Sequence, residues 1–223
     1  ARALETHMLE RHEFQFGMRA AVLFNAVAMP HQLRGDVEAV ERDLQVLRPL
    51  VEEKRCFPTF VPQIAMLEGW LHTHRGQLEQ GIAEMRAGLG AWSRMQIRMR
   101  PYYQGLIVEA LGRAGRPQEG LVYLESALKQ VERTKERWYE AELWRLRGEL
   151  LRHGDMGARR LGDEEEAEAR FRRAIEVARG QEARSWELRA TVSLARLLQE
   201  QGRGAEGREV LAAIYGWFTE GFD

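Results

Sequence analysis

Any chemistry in this chain of 223 residues has to come from a small set of side chains. His72 and His74 stand two residues apart, and His7 and His12 five apart. Two metal ligands on one helix need steps of three or four, so neither pair makes a site, and no two-Cys, two-His set is present. Gly112-Arg113-Ala114-Gly115 has the glycines of a phosphate loop. It lacks the Gly-Lys-Ser/Thr ending and follows no strand signal, so it reads as a turn between helices. Asp163-Glu164-Glu165-Glu166 lacks the alternating ligands and the glycine of a calcium loop and reads as a charged helix start. Ser185 and Ser193 have no His and carboxylate partners in a triad pattern, and Cys56 carries no nucleophile motif. Arg94, Arg98 and Arg100, with Trp92 nearby, make a basic patch too small for a nucleic-acid surface. No catalytic residue, metal ligand or cofactor is assigned, and the chain does not read as an enzyme.

Composition supports that reading. The 33 basic and 34 acidic residues nearly cancel to a net charge of −1, so no global field draws the chain to nucleic acid or to an anionic membrane. Apolar residues make up 44% and charged residues 30%, with only 6 prolines, as expected of an ordered helical protein. No apolar run reaches the roughly 18 residues of a membrane-spanning helix. Cys56 alone cannot form an internal disulfide, and a reduced cytoplasm is the simplest setting. The start, Ala1-Arg2-Ala3-Leu4-Glu5, has neither an initiator Met nor a signal-peptide shape. It begins as if cut from mid-helix, and the chain is expected to be a fragment of something longer.

The elements that position these side chains come from an internal repeat. Gly35, Gly76, Gly115 and Gly202 recur at steps of 41, 39 and 87, the last spanning two repeats with one marker missing. After each glycine an apolar stripe starts at helical spacing. The stripes are Val37, Val40, Leu44, Leu47, Val51; then Leu78, Ile82, Met85, Leu89, Trp92; then Leu121, Leu124, Leu128, Val131. The fourth runs through Ala167, Phe171, Ala174 or Ile175, and Ala178, and a weaker fifth through Leu211, Ile214, Phe218. A helical run also precedes each glycine, so the repeat is helix, tight turn, helix, with glycine supplying a left-handed residue at the end of the first helix. Pro30 and Pro49 are expected to kink or end the helices of the first repeat. Residues 152–162 read as an inserted, glycine-rich loop. Asp163 and Glu166 have capping-box spacing for the helix that follows.

The register resembles the tetratricopeptide repeat (TPR). In the third repeat Gly115, Gly120, Leu124 and Ala127 match its small–bulky–small pattern. The second gives Gly69, Gly76, Gly81, Met85 and Gly88, and the fourth Trp144, Gly148, Ala167, Phe171 and Ala174. The fifth departs, with Ile214 at a small-residue position. The repeat is about 40 residues against the family's roughly 34. The resemblance implies an all-α, TPR-like α-solenoid of about five antiparallel helix pairs in a right-handed superhelix. It is expected to form one repeat domain over 1–223, with repeats at 17–55, 58–97, 100–134, 137–181 and 184–219, and with 1–16 ending a preceding helix. It also implies a concave groove lined by the first helix of each pair. The family's groove positions fall on Asn25, Gln32, Gln63, Trp70, Tyr102, Glu109, Arg113, Glu142, Arg145, Glu149, Arg189 and Arg196, where Arg and Glu alternate in a solvated strip.

A narrower likeness covers most of the chain after about residue 60. Arg100-Pro101-Tyr102-Tyr103, the run Glu109 to Gly115, Arg137-Trp138-Tyr139-Glu140-Ala141-Glu142-Leu143 and above all the closing Tyr215-Gly216-Trp217-Phe218-Thr219-Glu220-Gly221-Phe222-Asp223 carry it. It resembles the C-terminal repeat region of bacterial signalling proteins that join a nucleotide-cyclase-like or winged-helix domain to a STAND-type ATPase. That resemblance implies a non-catalytic regulatory arm, binding a protein partner or the parent's own ATPase or effector domain, with no nucleic-acid or membrane role. The alternative it leaves open is a sensor that takes a small inducer in the groove. A closed, aromatic-lined pocket would favour the sensor and an open groove the interaction arm.

Overall fold

The computed structural model describes residues 19–52, 60–93, 99–152 and 162–218. Residues 1–16, Cys56, Arg94, Arg98 and most of the inserted loop, including Arg159 and Arg160, lie outside the described residues. Helices and turns are the only regular structure among those described. The chain divides into two compact units, Ala1–Ile97 and Arg98–Asp223. The border falls between the second and third expected repeats.

In the first unit, helical residues 19–23 lead into a π-helical turn, Phe24–Ala28, and then α1, Met29–Arg34. Three helices follow: α2, Val37–Glu52; α3, Phe60–His74; and α4, Leu78–Ser93. The π turn explains how Pro30 is tolerated. Met29 N–H bonds the Phe24 carbonyl five residues back, and the widened turn leaves Pro30 at the start of α1, where its missing N–H is no loss. The expected break at Pro49 does not occur, because α2 runs on to Glu52. The glycine turns are as the repeat requires, with Gly35 at φ 75° and Gly76 at φ 83°. Gly69 and Gly81 let α3 and α4 touch backbone to backbone. A methyl at Gly69 would stand 2.6 Å from the Gly81 carbonyl oxygen.

Both hairpins of this unit carry the same polar clasp. His31 Nδ1 lies 2.6 Å from Asp43 Oδ2, and His72 Nδ1 lies 2.6 Å from Glu84 Oε2. Each histidine is four residues before its turn glycine and each acid eight after it, so the repeat register sets the pair. In the third repeat the same two places hold Leu111 and Tyr123.

The described residues of the second unit form six helices: α5, Arg100–Arg113; α6, Pro117–Thr134; α7, Glu140–Arg152; α8, Asp163–Gly180; α9, Arg184–Glu200; and α10, Gly204–Tyr215. They pair as α5/α6, α7/α8 and α9/α10, and the first helices of the pairs also meet, α5 with α7 and α7 with α9. Small-to-large contacts fix each hairpin. Ala127 and Ala174 are fully buried, and Phe171 packs on Gly148, where an added methyl would stand 2.5 Å from its ring. Burying a side chain such as Phe171 contributes about 1.5–3 kcal/mol. The expected capping box at α8 is absent. Gly162 is the N-cap and no side chain caps it, so Asp163 stands one residue inside. The acids of that first turn act through the helix dipole instead.

Candidate functional site

The side chains marked by the repeat register do not form one solvated strip. In the first unit only Asn25 is exposed, and its Nδ2 donates back to the Ala21 carbonyl at 2.8 Å. Gln32, Gln63 and Trp70 are buried at 6%, 7% and 2% exposure, and Tyr102 in the second unit is completely buried. These four are core residues, which corrects the groove assignment made from the register. The physical reason is size and neighbours. Trp70 lies against His74 with ring centroids 4.0 Å apart. Tyr102 is closed in by Tyr103, Trp138 and Tyr139 at 4.9, 5.7 and 5.3 Å. Burial pushes the Tyr102, Tyr103 and Tyr139 hydroxyls well above the ordinary tyrosine range, so they remain neutral.

The remaining positions come together on α5, α7 and α9. Steps of three and four put Glu142, Arg145 and Glu149 on one face of α7, and Arg189, Ser193 and Arg196 on one face of α9. Between these faces runs a charged web. Arg145 makes a two-pronged pair with Glu142, Nε and Nη2 to the two carboxylate oxygens at 2.9 and 2.7 Å. Its Nη1 reaches Glu149 Oε1 at 3.2 Å and Ser193 Oγ at 3.4 Å. Ser193 Oγ donates to Glu149 Oε1 at 2.6 Å, and Arg189 joins Glu142 at 2.9 Å. Arg152 extends the web from Glu149 to Glu200.

Glu142 and Arg145 are buried, at 1% and 9% exposure, so the inner part of the expected solvated strip is interior. The cause is that α7 is flanked by both α5 and α9. Burial works against both charges. The Arg145 charge, its hydrogen bonds and then Arg189 outweigh this and hold the Glu142 carboxyl below the usual carboxylate range. Arg145 likewise stays firmly protonated, burial being outweighed mainly by Glu142 and then Glu149 and Glu109. Ser193, weighed in the sequence only as a nucleophile, is a site residue that the register does not mark, because its role depends on Glu149, forty-four positions away.

What remains accessible is an outer ring around this interior. Arg113 and Arg196 are exposed, while Glu109, Glu149 and Arg189 are half-buried. A half-open pocket of about 200 Å³ lies between α5 and α7, lined by Glu109, Gly112 and Arg113 on one side and Arg145, Leu146, Glu149 and Leu150 on the other. A second, of about 410 Å³, lies in the first unit between α2 and α3, bracketed by the ion pairs Arg48–Glu68 and Glu41–Arg75. Neither is closed or lined by Trp, Tyr or Phe. Among the described residues no group of three or more His, Cys, Asp or Glu side chains is placed to hold a metal ion, and no helix is long and apolar enough to cross a membrane.

No family model and no curated protein matches the sequence. Among solved structures the chain is similar to a Rap protein complexed with competence and sporulation factor. The TM-score is 0.71 at 15% sequence identity, over 85% of this chain and 52% of that one. At that identity the likeness concerns fold. This chain has a TPR-like helical-repeat fold, and it spans about half the length of the Rap chain it matches.

Proposed function

We propose that this chain is a non-catalytic interaction arm that holds a polypeptide on the face formed by α5, α7 and α9. The observation that carries this reading is the rigid charged web under that face. It holds Arg189 through Glu142 and stiffens the helices that present the accessible Glu109, Arg113 and Arg196, so a partner meets pre-organised charges. The Rap structure, a neighbour in fold, was solved with a bound factor, which favours binding over catalysis for such a scaffold. The half-open pockets suit an extended chain better than an enclosed inducer. The sequence likeness to STAND-type signalling proteins extends the reading: the partner is the parent's own ATPase or effector domain, or a protein that sets its state, in the cytoplasm.

Site-specific photo-crosslinking in the full-length gene product tests this. A benzoylphenylalanine at Arg196 faces the proposed surface, and one at Val122, 69% exposed on α6, serves as the control. Adducts from position 196, mapped to another domain of the parent or to a second protein, are the expected outcome. Adducts from position 122 alone would place the binding surface elsewhere.

A further inference from the structure

We infer that the pocket between α5 and α7 receives an arginine side chain of the bound polypeptide, with Glu109 as its anchor. This rests on the interaction-arm reading and specifies the partner's chemistry at one place in it.

Most charges in the lining already have partners. Arg145 directs Nε and Nη2 to Glu142 and Nη1 to Glu149 and Ser193, so its donors face inward. Glu149 is taken up by Arg145, Ser193 and Arg152. Glu109 differs. It lines the pocket half-buried, its charge is felt at Arg145, Tyr102 and Tyr139, yet among the described residues no hydrogen bond or ion pair takes up its carboxylate. A partly desolvated carboxylate of this kind gains most from a cation that brings its own donors. Arg113 stands exposed at the rim, where solvent screens it, so it opposes an incoming cation only weakly.

Shape narrows the ligand further. Leu146 and Leu150 form an apolar wall, and at its base α5 and α7 meet closely, since a methyl at Gly112 would stand 3.1 Å from Leu150 Cδ2. A long aliphatic stem can lie along the leucines while its head reaches Glu109. At about 200 Å³ the pocket is smaller than the roughly 300–1,000 Å³ of small-molecule sites, so it fits one side chain. A guanidinium matches a carboxylate with two parallel bonds where an ammonium offers a single point charge, so arginine is preferred to lysine.

The test uses the full 223-residue chain and three blocked tripeptides, acetyl-Ala-Xaa-Ala-amide with Xaa arginine, norleucine or glutamate, followed by NMR. The arginine peptide should shift the Gly112 amide and the Leu146 and Leu150 methyls saturably, with a Kd on the order of millimolar, as one side chain can supply. Glu109→Gln should weaken it about tenfold, the loss of one charge-assisted bond, at unchanged melting temperature. Equal affinity of Glu109→Gln, or equal affinity for the norleucine peptide, overturns the inference. Saturation by the glutamate peptide alone also overturns it but leaves the interaction arm standing. If no peptide perturbs α5, α7 or α9 at several times that concentration, both readings fall.

Discussion

Two arginines that the repeat register assigns to the groove have opposite fates. Arg196 is exposed on α9, whereas Arg145 is 9% exposed and holds Glu142, itself 1% exposed. Removing Arg145 takes the two-pronged partner from the buried Glu142 and leaves it only Arg189, and breaking one partner of a buried pair typically destabilises by about 3–5 kcal/mol. Arg196→Ala leaves nothing stranded and should shift stability by less than about 0.5 kcal/mol. Urea unfolding of Arg145→Ala beside Arg196→Ala checks the contrast. Equal midpoints would mean that the web is not a structural element. The register made the positions of Glu142, Arg145, Glu149, Arg189 and Arg196 legible in the sequence. Their burial was not, because it is decided by pairings such as Glu142 with Arg189 and Glu149 with Ser193, which bring together residues more than forty positions apart. For the same reason Trp70 and Tyr102 have groove positions in the register and lie in the core of the structure. Spacing gives the side of a helix, and only the neighbours decide whether that side is wet.

The helices themselves were largely legible, since glycine at the turn and a small–bulky–small stripe are local signals with one packing solution. Gly35, Gly76, Gly115 and Gly202 all take positive φ, as the turns demand. The exceptions have physical causes that a register does not carry. Pro30 is absorbed by a π turn and Pro49 by the last turn of α2. Lys135 and Glu182 adopt positive φ without being glycine just past the ends of α6 and α8, where the turn itself takes a left-handed residue, and Met99 does so before α5 with its N–H on Glu136. The register claim has a direct stability consequence in α6. Ala127 is fully buried at the place where the pattern asks for a small residue. Leucine there would overpack the α5/α6 contact and should cost about 1–3 kcal/mol, read as a lowered melting temperature. An unchanged melting temperature would show that α6 can rotate or shift without loss, and the repeat register in this hairpin would then be wrong.

At the scale of the whole chain, near-zero net charge hides many short-range ion pairs, and this sets how the protein responds to acid. The carboxylates held below their ordinary range by paired arginines include Glu142, Glu168, Glu187 and Glu206. All four belong to Arg98–Asp223. Glu168 and Glu206 share Arg172 and Arg203, and Glu187 is taken by Arg179 and Arg184. In each case the folded carboxyl releases its proton at lower pH than the unfolded one. The stabilisation is therefore complete above the unfolded value near 4.5 and disappears as pH falls through the folded value. In that window the unfolded chain binds more protons, so stability falls with falling pH, for the buried Glu142 by up to about 1.4 kcal/mol per pH unit. Because stability in a repeat array is a sum of neighbour interactions, the loss should be concentrated where the pairs are. Hydrogen exchange at fixed temperature, compared at pH 6 and on stepping down through about pH 4, should show protection falling in α7, α8, α9 and α10. The buried pair supplies the specific check. Glu142→Gln removes one titrating group, so its denaturation free energy, lower throughout, should decline less steeply with acid than that of the wild-type chain. A slope identical to wild type would mean that Glu142 does not change its proton affinity on folding, and the web would then lack the electrostatic coupling that makes it a pre-organised platform.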